Sequence, residues 1–178
     1  MVEQERMKNG RNSSTSMGIV DAQSVKNVHT AREKGYDAGK KVSGIKRHII
    51  VDTNGLLHAY AVTTANVTDR NGAIQAIETN KKYLRKTKKI LADGGYVGEP
   101  FAKKVREILK AETEIAKRND IKKFEVIPKR WVVERSFSWI EKCRRLWKNC
   151  ERTLNASLQM MILAFVRVLL VKTAEKKI

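Results

Sequence analysis

Apolar positions recur along this chain with two different spacings. Gly18 to Val25 sets Ile19, Val20 and Val25 among small and polar residues and reads as a strand. Arg47 to Val51 reads as another strand, and Leu56 to Thr63 as its return. Between them Asp52-Thr53-Asn54-Gly55 is a strong turn signal, so the two runs form a hairpin. Thr68 or Asp69 caps a helix that runs through Ala73, Ile74 and Ile77 toward Tyr83 and Leu84. Lys89 to Ala92 is a short strand, stopped sharply by Asp93-Gly94-Gly95. Glu99-Pro100 opens a helix whose apolar face is Phe101, Val105, Ile108 and Leu109. Thr113 to Ala116 and Phe124 to Ile127 are short strand candidates, the second ended by Pro128. The stripe Val132/Val133, Ser136, Trp139/Ile140, Cys143, Leu146/Trp147, Cys150 steps by three and four and predicts one long helix over Arg130 to Cys150. A last helix follows from about Asn155, with Leu158, Met161, Ile162, Phe165, Val168 and Leu169 on its buried face. Asn27 to Lys46, where glycines alternate with lysines, reads as loop. This order of elements suits an α/β domain, a mixed sheet with helices packed on its faces.

The ends differ from the middle. Residues 1–17 carry Asn-Gly, Ser-Ser-Thr-Ser and scattered charge without periodicity, and are expected to be a polar tail or linker. Residues 18–172 form the folded unit, and residues 173–178 a basic tail. The longest apolar stretch, Met160 to Val171, contains Arg167 and is too short to span a bilayer; no membrane partner is expected.

Charge changes the picture most. Thirty-seven Lys and Arg stand against nineteen acids in 178 residues, a net charge of +18. That balance selects a polyanionic partner and says nothing about fold. Cys143 and Cys150 lie two helical turns apart, too far for a disulfide within one helix, and read as small apolar fillers. His29, His48 and His58 have no tight ligand spacing, so no zinc site is expected. No phosphate-binding loop of the Gly-x-x-x-x-Gly-Lys-Ser/Thr kind is present, so ATP-driven chemistry is not indicated. Ser24 followed by Lys26 leaves the base of a serine nucleophile unspecified.

Three acids stand out against this background. Asp21 and Asp93 each end an apolar run, where a carboxylate points into a crevice while its strand holds the backbone rigid. Gly94 and Gly95 clear side chains from beyond Asp93. Glu134 lies beside the apolar stripe of its helix, and from Lys129 to Arg152 eight basic residues accompany three acids. Such surroundings keep a carboxylate ionised and grip phosphates. The bland readings are a capping acid before a turn for each Asp, and an Arg130–Glu134 surface pair. Asp52 is first a turn residue that accepts local amides, and a metal ligand only second. Carboxylates gain nothing for a polyanion unless divalent metal bridges the two. The pairing therefore points to metal-dependent phosphodiester chemistry on nucleic acid.

At these residues the chain resembles the C-terminal catalytic part of bacterial insertion-sequence transposases, the IS5-like branch of the IS4-type DDE superfamily. The matching runs are Ile19-Val20-Asp21-Ala22-Gln23-Ser24-Val25-Lys26, Gly35-Tyr36-Asp37-Ala38-Gly39-Lys40-Lys41, Lys46 to Thr53, Ala65-Asn66-Val67-Thr68-Asp69-Arg70, Ala92-Asp93-Gly94-Gly95-Tyr96-Val97-Gly98, and Pro128 to Phe137, together spanning about Gly18 to Val171. The resemblance implies a ribonuclease H-like mixed sheet flanked by helices. It puts the acidic triad on Asp21, Asp93 and Glu134, serving as catalytic residues and as ligands of Mg²⁺ or Mn²⁺, two ions in all. Their carboxyl groups are expected within roughly 4–8 Å of a common point. The family's Arg-x-x-x-Glu feature matches Arg130 and Glu134, and its later basic residue corresponds to Lys142. Trp139 and Trp147 are expected in the core of the family helix.

The implied activity is metal-dependent cleavage of DNA strands and strand transfer of an insertion sequence. Double-stranded DNA, as element ends and target, is the partner, contacted through Lys40, Lys41, Arg47, Lys129, Arg130, Arg135, Lys142 and Arg145. Oligomerisation on DNA is expected, in the bacterial cytoplasm at the nucleoid. Relatives carry a further N-terminal region that helps recognise element ends, and here a polar tail precedes Gly18. A partner product from an upstream frame is accordingly expected. The alternatives are a non-catalytic DNA-binding remnant or accessory fragment, and a metal-dependent nuclease of the same fold.

Overall fold

The computed structural model describes residues 1–116 and 130–175. One six-stranded sheet organises them: β1 (Met17–Lys26), β2 (Gly35–Asp37), β3 (Val42–Val51), β4 (Leu57–Thr64), β5 (Lys89–Ala92) and β6 (Glu112–Ile115). Across the sheet the order is β2-β3-β1-β5-β6. β3 is long enough to pair with β2 through Val42–Gly44 and with β4 through Ile45–Val51, both antiparallel. β1 is antiparallel to β3 on one side and parallel to β5 on the other, and β5 is parallel to β6. This is a mixed sheet flanked by helices, consistent with the ribonuclease H-like fold.

Period-two alternation divides the strands between two cores. Ile19, Val25, Ile45, Ile49 and Val51 face α4 (Arg130–Glu141) and α5 (Leu154–Glu175), meeting Val132, Val133, Phe137, Ile140, Met161 and Phe165. Val20, Ile50 and Ile90 face the other way, onto α2 (Asp69–Thr79) and α3 (Glu99–Leu109). Thr68 caps α2 by accepting the Asn71 amide, and Pro100 occupies the first turn of α3. α2 lies so close to the sheet that a Cβ at Gly72 would meet the His48 ring at 2.1 Å. His48 is fully buried with its Nε2 2.9 Å from the Thr63 hydroxyl. Burial pushes its imidazole down to about 4, with Asp69 opposing the shift and Lys46 and Lys40 adding to it.

Several expectations change. Residues 27–46 are not all loop: β2 lies within them and β3 starts at Val42 rather than Arg47. The glycine-lysine alternation concealed this, because Gly44 serves a close backbone approach, its Cβ position only 2.0 Å from the Val25 carbonyl oxygen. α2 stops at Thr79, followed by a tight turn over Lys81–Tyr83. The helix expected to reach Cys150 ends at Glu141. The chain then turns so that the Asn149 amide donates to Lys26 carbonyl (2.9 Å), Val28 donates to Asn149 (3.0 Å), and the two side-chain amides of Asn149 and Asn27 meet at 2.9 Å. Backbone pairing at the end of β1 outweighs two further turns of helix. Trp147, expected in the core, is 63% exposed under the Lys148 ammonium; Leu146 fills the core instead. The strand candidate over Phe124 to Ile127 lies outside the described residues.

Within residues 1–17, α1 (Val2–Lys8) is a helix that buries Glu5 and Arg6. Arg6 forms an ion pair with fully buried Asp52 and donates from Nε to the Asn12 carbonyl at 2.8 Å. α5 is the one described helix long and apolar enough to cross a bilayer. It packs on β4 and α4, with Met161, Ala164, Phe165 and Leu169 buried.

Candidate active site

Asp21 and Asp93 are brought together by register. β1 and β5 run parallel with Ile19 beside Leu91. Two residues further along each chain come Asp21 and Asp93, on the same face as Ile19 and Leu91. Both acids line one small hollow of about 10 Å³ with Ala116 and the strand residues before them. Asp21 is not at the end of its strand, as expected, but in the middle of β1; it is β5 that stops, at Ala92. The crevice arises because the parallel partner ends while β1 runs on.

Each carboxylate is fixed locally. Asp21 Oδ1 accepts the Ala22 amide at 2.7 Å, and Asp93 Oδ1 accepts the Gly95 amide at 2.9 Å, capping a short turn over Gly94–Tyr96. Tyr96 is buried beneath, 5.3 Å from the Phe101 ring, with no hydrogen-bond partner for its hydroxyl among the described residues. Burial drives that hydroxyl well above its ordinary value, and the charges of Asp21, Asp69 and Asp93 push it in the same direction.

Glu134 is exposed on α4. The helix is fastened across the sheet at its middle and at its end. At its middle, Arg135 Nη2 donates to the Asn54 carbonyl (3.3 Å) and the Ser136 hydroxyl to the Gly55 carbonyl (3.0 Å). At its end, Glu141 Oε1 accepts from Gln23 Nε2 at 2.6 Å. Gln23 is two residues beyond Asp21, and Glu141 is two turns beyond Glu134 on one side of α4. No group of three acids, histidines or cysteines stands close enough to hold a metal among the described residues. Of the three acids, Asp21 and Asp93 line one hollow.

The expected phosphate contacts divide in the same way. Lys40, Lys41, Lys142 and Arg145 are exposed. Lys40 Nζ donates to the Ala22 carbonyl at 3.0 Å, and Arg145 pairs with Glu151 at 2.7 Å. Arg47 is 1% exposed, which corrects its assignment as a DNA contact. It points into the sheet face under α4, 3.3 Å from Gln23 Oε1. Burial lowers its guanidinium to about 10, against the pull of Glu141. Arg135 is taken up structurally, its guanidinium 4.5 Å from the Trp131 ring and 5.0 Å from Trp139. Lys129 and the side chain of Arg130 lie outside the described residues. Asp52 accepts the Asn54 and Leu56 amides, as a turn residue does, and also pairs with Arg6 and His58. Burial would raise its carboxyl, but His58 and the Leu56 and Asn54 amides hold it below the usual range.

Sequence reasoning missed Arg70. It follows the cap of α2 and donates from Nε to the Gly95 carbonyl at 2.9 Å, two residues from Asp93. A basic residue in the first turn of a helix, against the helix dipole, was the available signal.

The chain as a whole has known counterparts. The family model described as "Transposase DDE domain" matches residues 12–169. The chain belongs to the DDE transposase domain family. It is 33% identical over 116 residues to a Burkholderia cepacia protein assigned as transposase for insertion sequence element IS402, covering 61% of this chain and 54% of that protein. It thus spans about half the length of that curated relative. The fold is like that of the catalytic core domain of BIV integrase, at a TM-score of 0.53 and 13% identity over 86% of this chain and 82% of that one. A chain of the simian T-cell lymphotropic virus intasome, in complex with a PP2A regulatory subunit, gives a TM-score of 0.57 at 14% identity, covering 85% of this chain and 47% of that one. At such identities these two likenesses concern the fold alone.

Proposed function

We propose that this DDE domain belongs to the IS5-like branch and cleaves DNA strands and transfers them during transposition of an insertion sequence. The observation that carries the reading is the pair Asp21 and Asp93, set side by side on β1 and at the end of β5 within a chain of net charge +18. Two carboxylates on neighbouring strands are hard oxygen donors, a set that fits Mg²⁺ or Mn²⁺. Glu134 completes the ligand set from α4. Two divalent ions held there would supply activation of the attacking water or 3′-hydroxyl and stabilisation of the leaving oxygen.

The protein's own part is positional. Asp21 and Asp93 hold their carboxylates rigidly through the strands and through the Ala22 and Gly95 amides. Lys40, Lys41, Lys142 and Arg145 hold the phosphates of element ends and target DNA, joined by Lys129 and Arg130 from the segment leading into α4. Chemistry proceeds by direct attack, without a covalent protein intermediate. The protein works as an oligomer on DNA, at the nucleoid of a bacterial cytoplasm.

Asp93→Asn tests this reading. The amide oxygen still caps the Gly95 turn, so the fold and DNA binding persist while cleavage falls at least about a hundredfold. Full cleavage by the verified pure variant would remove Asp93 from the site. Supplying a free 3′-hydroxyl end separates the two activities: its joining to target DNA marks a transposase, and cutting alone marks a nuclease of the same fold.

A further inference from the structure

Beside the paired acids lies a larger cleft, of about 600 Å³, between the first turns of α2 and α3. Its walls carry four cations, Lys40, Lys46, Arg70 and Lys104, against two carboxylates, Asp37 and Asp69. The carboxylates are already engaged: Lys46 Nζ lies 3.2 Å from Asp37 and 2.9 Å from Asp69. Asp37 also accepts from the Ser24 hydroxyl (2.6 Å) and the Lys40 amide (3.1 Å). Although burial pushes the Asp37 carboxyl up, these donors and Lys46 hold it at about 2, so it stays an anion bound to its own cation. Three cations are left to face the cleft.

Two of the three are oriented by backbone next to the acids. Lys40 Nζ hangs from the carbonyl of Ala22, which follows Asp21, and Arg70 Nε hangs from Gly95, two residues after Asp93. Each bond uses only part of the side chain. Among the described residues, two ammonium hydrogens of Lys40 and the terminal nitrogens of Arg70 stay available. Lys104, one turn into α3, forms no hydrogen bond or ion pair among the described residues. Thr68, Asn71, Pro100 and Phe101 place the positive ends of both helices on the same cleft, and no side chain caps α3 at Gly98.

We propose that this cleft binds a backbone phosphate of the DNA strand being cut, through Arg70 and Lys104 with Lys40 as the link to Asp21. The inference rests on the transposase reading and deepens it: it gives the strand a fixed point beside the two acids. Chelation by the Arg70 fork and the Lys104 ammonium would set which phosphodiester reaches Asp21 and Asp93.

The test uses the full 178-residue chain and a short DNA duplex. Arg70→Gln and Lys104→Gln, singly and together, are compared with Lys82→Gln/Lys86→Gln, which removes equal charge from a different groove. The slope of log K against log salt should become shallower by about 0.9 for each lost contact in the cleft, with little change in the control. A set of duplexes, each with one neutral methylphosphonate, should reveal one position that weakens the natural chain and is silent in the double variant. Equal losses in cleft and control variants, or an interference pattern unchanged by the double variant, would overturn the proposal. If loss of the Arg70–Gly95 bond prevents folding, Lys104→Gln alone carries the comparison. Binding is read without cleavage, so a chain that binds at this phosphate but never cuts sinks the enzymatic reading and leaves the cleft standing.

Discussion

Asp21 and Asp93 stand on strands joined by a parallel ladder, while Glu134 stands on a helix fastened across the sheet at a few points. The ladder fixes the two aspartates by backbone hydrogen bonds, with Ile19 and Leu91 packed just before them. α4 has a buried face, Val132, Val133, Ser136, Phe137 and Ile140, but its placement along the sheet depends on the Asn54–Gly55 turn and on Gln23. That turn depends in its own right on Asp52, and Asp52 on Arg6 of α1. One pair of acids is thus set by secondary structure, and the third by a relay of tertiary contacts. Damage should separate them.

Arg6→Met is the sharpest way to break the comparison. It leaves the Asp52 carboxylate buried with only His58 and the turn amides, a loss of about 3–5 kcal/mol in a denaturant titration. In the folded fraction, strand cleavage should fall while hydrogen exchange at the β1–β5 ladder stays slow. Equal loss of protection in β1, β5 and α4 would show that the two regions are one unit.

Acid acts on the other face of the sheet. His48 is neutral in the fold, with its imidazole at about 4, and is protonated in the unfolded chain below about 6.5. The unfolded state therefore binds more protons between those values, and stability falls as pH drops from 6.5 toward 4. The contribution of His48 is about 3 kcal/mol. Unfolding free energies measured at pH 7 and pH 4.5 check the sign; a chain no less stable at pH 4.5 would contradict it.

Ser136→Ala sharpens the comparison with the smallest change. It removes the hydroxyl that links α4 to Gly55, at a cost of about 1 kcal/mol. The midpoint of denaturation should move slightly, and the strand pair should be unaffected. A loss as large as that of Arg6→Met would mean that the relay acts mainly through Ser136.

Much of this was legible in the residues. The hairpin around Asp52–Gly55, β5, the Thr68 cap and the face of α3 all follow from local rules, because each is set by neighbours in the sequence. The closeness of Asp21 and Asp93 rests on the parallel register of β1 and β5, while each stands out locally as an acid at the end of an apolar run. Where local pattern and long-range pairing disagreed, pairing prevailed. The three-four stripe beyond Glu141 is helical in period, yet Asn149 joins Lys26 and Val28, and the helix stops. Arg47 reads as a surface cation in a basic chain, but strand alternation turns it under α4. Arg6 reads as part of a tail, and its role depends on an acid 46 residues away. The sequence alone determined most of the elements and the excess of positive charge, and it singled out Asp21 and Asp93. Tertiary structure decided that β5 ends beside the middle of β1, which cations face a cleft and which are buried. Those outcomes depend on register and on packing between distant segments, which no local pattern encodes.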